Sequence, residues 1–151
     1  MIIQEQAKLK DGSTENRAKP CNHVIDLASK KKVEIATSGL SLAEVCKHEF
    51  IRTQDGDTLS DFFRNEYILI VPVDRHVGTL ARQYMQAGHA GLRPPDAIHL
   101  ATAIVADVSE FHTFDDKLLK LDQKIPKLGG SLLKICKPPS PPPGLFDGLE
   151  A

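Results

Sequence analysis

Apolar positions along this chain recur at two periods, and the alternation between them lays out the elements. After the polar, turn-rich stretch of residues 11–20, the spacing of Cys21, Val24, Ile25, Leu27 and Ala28 is helical. It ends in Lys30-Lys31-Lys32, a basic cluster suited to a helix C-terminus. The apolar run from Val33 to Ala36 predicts a strand, Thr37-Ser38-Gly39 a turn, and Leu42, Val45 and Cys46 a following helix. Residues 67–73 (YILIVPV) are continuously apolar and branched, the pattern of a strand buried on both faces of a sheet. Asp74 is placed to cap the next helix, whose Val77, Leu80, Ala81 and Tyr84 share one face and which Gly88 should stop. Pro94-Pro95 opens a helix running from Asp96 to about Ala106, apolar nearly all round and so buried. Phe111 to Phe114 makes a brief strand, Asp115-Asp116 begins a short helix, and Ser131 to Cys136 supplies a last strand.

Strands alternating with helices in this way predict an α/β fold with a mostly parallel sheet covered by helices. The pattern runs as one domain over residues 1–137. Beyond it the composition shifts to PPSPPPGLFDGLEA, whose prolines cannot donate to a sheet ladder, and residues 138–151 are expected to form a disordered, proline-rich tail.

The chain has 151 residues, 41% hydrophobic and 26% charged, enough for one domain with a core. A formal net charge of -1 offers no long-range attraction for nucleic acid, so any such contact must be local. Arg64, Arg75, Arg82 and Arg93 are the candidates for it, although scattered arginines are usually solvated surface. Three cysteines, Cys21, Cys46 and Cys136, form no C-x-x-C pair, and the odd count argues against a disulfide framework and for a reducing cytoplasm. Cys46 and His48 lie close together but lack a second Cys/His pair to complete a zinc site. No run approaches the roughly 18 apolar residues of a membrane span.

Carboxylates carry the remaining chemistry, and each has an ordinary structural duty. Ser41-Leu42-Ala43-Glu44 is a capping-box pattern, Asp96 sits in the first turn of its helix, and Asp115 can cap the helix that follows Thr113-Phe114. Against this, Glu44 and Asp115 each follow a strand by a few residues, and in an open α/β sheet those loops converge where ligands bind. Acids brought together there would repel one another, and a hard divalent cation is the usual compensation. His99, three residues after Asp96, shares its helix face and could orient a carboxylate.

Three stretches carry a resemblance: TSGLSLAEV (Thr37 to Val45), RPPDAIHLATA (Arg93 to Ala103) and FHTFDDKLLKL (Phe111 to Leu121). In order and separation they look like consecutive acidic motifs of PIN-domain proteins, above all of the prokaryotic group that includes ribonuclease toxins of toxin-antitoxin pairs. The resemblance spans roughly residues 20–137 and implies a three-layer α/β/α fold with a mostly parallel central sheet. Carried over residue by residue, Glu44 stands as the second acid of the family's set, Asp96 as the third and Asp115 as the fourth. Asp116 is in reserve, with Thr113 and His99 as secondary candidates. It further implies Mg²⁺ or Mn²⁺ as cofactor, RNA as substrate, and an antitoxin protein or a second copy of the chain as candidate partners.

One part of the pattern is absent. PIN domains begin with an apolar central strand ending in an aspartate, the first metal ligand, and MIIQEQAKLKDG offers no such strand. Asp11 lies in that region but follows Lys8-Leu9-Lys10. The expectation is therefore either an N-terminally truncated metal-dependent endoribonuclease or a catalytically inactive PIN-like module that binds RNA or a protein.

Overall fold

The computed structural model describes residues 6–47 and 58–144, which fall into two units, one of residues 34–137 and one of the flanking segments.

In the flanking unit, β1 (Gln6–Lys8) pairs antiparallel with β2 (Thr14–Asn16), and α1 (Ala18–Ser29) follows. This hairpin lies where the sequence indicates only turn chemistry. Its strands are short, and neither shows enough alternation to stand out. The turn between them is built by Asp11, whose Oδ1 accepts from the Ser13 amide at 2.9 Å, and by Gly12 at φ +86°. The lysine cluster ends α1 as expected. Lys31 adopts a left-handed conformation, and the amides of Lys31 and Lys32 close back on the carbonyls of Ala28 and Leu27.

In the larger unit, β3 (Ile35–Ser38) leads at once into α2 (Leu40–Glu44) and a 3-10 turn (Val45–Lys47). Then come α3 (Thr58–Phe63), β4 (Ile68–Val71), α4 (Arg75–Gln86), α5 (Pro94–Val105), β5 (Glu110–His112), α6 (Asp116–Leu119) and β6 (Lys134–Cys136). The sequence predicts β3 two residues too early. Val33 is exposed and lies on the other side of the unit boundary. Asp74 caps α4 by accepting from the Val77 amide at 2.9 Å, and Gly88 ends it at φ +73°.

β3 and β4 pair in parallel, as do β5 and β6, but as two separate two-stranded sheets. The strand predicted over residues 67–73 is not buried on both faces, because Leu69 is 57% exposed in β4 and Val73 lies exposed beyond it. A two-stranded sheet has too little surface around it to cover both faces. The outer edge of β6 is closed. Asp122 Oδ1 accepts from the Ile135 amide at 2.7 Å, and Leu133 exchanges hydrogen bonds with Gln123 and Ile125.

The core lies where α4 and α5 cross. Val77, Ala81 and Tyr84 pack against Ala97, Leu100, Ala101 and Ile104, with Ile125, Leu133 and Ile135 completing the cluster. Leu100, Ile104, Ile125 and Leu133 are fully buried, each contributing about 1.5 to 3 kcal/mol of burial. The apolar character of α5 on almost every side is thus explained: it packs on α4, on β3 and on α2, inside the core cluster. Among the described residues no helix is long and apolar enough to cross a membrane.

Candidate functional site

Three acids and one histidine decide whether the larger unit holds a site. The chain leaves β3 tightly: Ser38 Oγ accepts from the Leu40 amide at 3.1 Å, and the Gly39 amide donates to Val71 O of β4 at 2.8 Å. The helix therefore begins at Leu40 with Gly39 as its N-cap, and the capping box expected from Ser41 and Glu44 does not form. Ser41 already lies inside the first turn and turns its hydroxyl back to Thr37 Oγ1 at 2.8 Å. The Glu44 carboxylate instead reaches α5, where Oε2 lies 2.6 Å from His99 Nε2. Both side chains are about a quarter exposed.

Asp96 stands one helical turn before His99, in the first turn of α5. Its Oδ2 accepts from the Arg93 backbone amide at 3.4 Å and from Arg93 Nε at 3.2 Å, and its side chain is 17% exposed. Both contacts fall on Oδ2 and leave Oδ1 out of them. Arg93, one of the four arginines considered for phosphate, is thus engaged with Asp96. Arg64 lies 3.6 Å from Asp61 in an exposed pair.

Asp115 caps α6, its Oδ1 accepting from the Lys117 amide at 2.8 Å while its own amide donates to Thr113 Oγ1 at 3.1 Å. Thr113 thereby shapes the turn that presents Asp115, and its amide continues the ladder to Cys136 O at 3.0 Å. Asp116 is exposed in the first turn of α6. Asp11, in the flanking unit, has its carboxyl held below the usual range by the Ser13 hydroxyl and amide, a turn-forming role.

The structure thus joins Glu44 to His99, on the helix that carries Asp96. Glu44, Asp96 and Asp115 offer hard oxygen donors of the kind Mg²⁺ and Mn²⁺ take. Their ligand atoms are not gathered within 4.8 Å of one another. Among the described residues, the cluster with that property is Glu110, His112 and Cys136, on β5 and β6. Sequence reasoning passed it over, because Cys136 is remote from His112 in sequence. The Glu-x-His spacing sets both side chains on one face of the observed strand, but the strand expected from the sequence, Phe111 to Phe114, leaves Glu110 out. Of the pair considered for zinc, Cys46 donates to Leu42 O at 3.6 Å, and His48 lies outside the described residues.

The family model for the PIN domain matches residues 14–124 of the chain. No curated protein and no solved structure matches it.

Proposed function

We propose, since the chain belongs to the PIN-domain family, a family of nucleases, that it is a metal-dependent endoribonuclease hydrolysing RNA phosphodiester bonds. The observation that carries this reading is the 2.6 Å contact between Glu44 and His99. It ties the acid at the end of α2 to the helix bearing Asp96, so two of the three acidic motifs meet in space although they are far apart in sequence. Asp96, Asp115 and Glu44 would hold the cation, Mg²⁺ or Mn²⁺, and His99 would orient Glu44. When bound, the cation supplies an activated water and stabilises charge on the phosphodiester. Thr113 fixes the Asp115 backbone, and Arg93 holds Asp96 through one oxygen. The toxin of a toxin-antitoxin pair, acting in the cytoplasm, is the biological role this reading favours.

The reading includes a further strand between β3 and β5. Pairing with β4 uses the amides of Ile35 and Gly39, so those of Ala36 and Ser38 face the other edge of β3. Likewise the amides of Glu110 and His112 face the edge of β5 away from β6. Among the described residues neither edge has a backbone partner, whereas the outer edge of β6 is closed. α5 packs on β3 and shares its core cluster with Ile135 of β6, so a parallel strand laid between β3 and β5 would join the two sheets into the central sheet of a three-layer fold. If that strand ended in an aspartate it would complete the acidic set.

A second reading is a catalytically inactive PIN-like module that binds RNA or a protein. It is favoured by the partners already held by Glu44, Asp96 and Asp115 and by the spread of their ligand atoms. Incubating end-labelled RNA with the chain and Mn²⁺, with and without EDTA, separates the two. Fragments that vanish with EDTA support the nuclease, and intact RNA that is nonetheless retained by the protein selects the binding module.

A further inference from the structure

Parallel pairing sets Glu110 opposite Lys134 and His112 opposite Cys136. Because side chains alternate across a strand, these four share one face of the β5–β6 sheet, while Ile135, 2% exposed, and Phe111 turn to the core. On the shared face Glu110 uses its two oxygens differently. Oε1 accepts from Lys134 Nζ at 2.6 Å, while Oε2 lies 2.9 Å from His112 Nε2 and 3.8 Å from Cys136 Sγ. The three potential ligand atoms all lie within 4.8 Å of one another.

From this geometry we propose that Glu110 Oε2, His112 Nε2 and Cys136 Sγ form a binding site for a zinc-type divalent cation, separate from the Glu44, Asp96 and Asp115 acids. A tetrahedral zinc ion with bonds of about 2.0 Å to oxygen and nitrogen and 2.3 Å to sulfur sets oxygen and nitrogen about 3.3 Å apart and oxygen and sulfur about 3.5 Å apart. The observed 2.9 and 3.8 Å require shifts of a few tenths of an ångström, and the His112 nitrogen and the half-buried Cys136 sulfur, within 4.8 Å of each other, must close to about 3.5 Å. One thiolate, one imidazole and one carboxylate make a borderline-soft set that selects zinc over the hard cations taken by carboxylates alone. Lys134 supplies the outer hydrogen bond that holds Glu110 with Oε2 turned inward, as orienting partners do in metal sites. The protein supplies three ligands, so the fourth position is left to water.

Binding replaces the thiol proton: the Cys136 S–H bond breaks, a sulfur–metal bond forms, and one proton leaves to solvent, so affinity rises with pH.

Titration of the reduced full chain with cobalt(II) chloride alone tests the assignment, because cobalt occupies zinc sites and reports a thiolate ligand by a near-ultraviolet charge-transfer band. The expected result is a band that saturates at one cobalt per chain, is bleached by zinc, and disappears in Cys136→Ser while persisting in Cys46→Ser. His112→Gln, at an exposed position, should weaken cobalt binding by about 10-fold or more with an unchanged far-ultraviolet spectrum. Asp96→Asn and Asp115→Asn should leave the band intact, which separates this site from the acids of the proposed nuclease. Absence of the band in the wild type, its survival in Cys136→Ser, or unchanged affinity in folded His112→Gln would overturn the assignment.

Discussion

His99 Nε2 lies 2.6 Å from Glu44 Oε2, a contact between residues 55 positions apart that fastens the short helix after β3 to the buried helix α5. Neither partner is deeply buried, so the contact should be worth an ordinary hydrogen bond, about 0.5 to 1.5 kcal/mol. A double-mutant cycle of Glu44→Ala and His99→Ala, read by urea unfolding, should return a coupling energy in that range. Coupling indistinguishable from zero would mean that the pair does not hold in solution.

Metal binding should discriminate among the acids. In calorimetric titration with Mn²⁺, Asp96→Asn should lower affinity and Asp116→Asn should leave it close to wild type, since Asp116 is exposed and reserved by nothing in the site. Equal affinities for the two variants would remove Asp96 from the proposed cation set.

The β5–β6 face carries a pH signature of its own. The Lys134 ammonium, and after it His112, hold the Glu110 carboxyl down at about 2 against an ordinary 4.5. A carboxyl lowered in the folded state stabilises the fold above its unfolded value and loses that contribution as pH falls through the folded one. The wild-type melting temperature should therefore decline between about pH 4.5 and 2 more steeply than that of Glu110→Gln. Because the group is surface-exposed the difference should be small and should shrink in high salt. Parallel curves would show that the Lys134 contact contributes nothing to folding.

Core truncation gives the largest effect on stability. Leu100 is fully buried in the core cluster that α4 and α5 build, so Leu100→Ala should cost about 2 to 5 kcal/mol in denaturant unfolding. A loss under about 1 kcal/mol would indicate a looser core than the packing shows.

The two long helices of the larger unit, α4 and α5, were easy to read from the sequence. The apolar periodicity of α4, its Asp74 cap and Gly88 stop, and the Pro-Pro opening of α5 are local signals, and tertiary packing agrees with each. Legibility failed where long-range contacts decide. The Ser41-to-Glu44 spacing satisfies a capping box, but Gly39 starts the helix and His99 takes the carboxylate. Leu69 sits in a run of branched apolar residues that implies full burial, yet exposure depends on what lies across the sheet, which the run does not encode. The helix Thr58–Phe63 and the first hairpin are too short to impose a period. The Glu110, His112 and Cys136 cluster depends on the parallel register of two strands joined by a long connection, and residue spacing alone does not reveal register.

The central claim, cleavage of RNA by carboxylate-held metal, is tested most directly by one measurement: the cleavage rate of end-labelled RNA with Mn²⁺ for the wild type, Asp96→Asn, Asp115→Asn and Asp116→Asn in parallel, each repeated in EDTA. The account predicts fragments from the wild type and Asp116→Asn, a rate lower by at least about 100-fold in Asp96→Asn and Asp115→Asn, and no cleavage by any of them in EDTA. Cleavage that survives EDTA, undiminished rates in both aspartate variants, or RNA left intact by the wild type would contradict it.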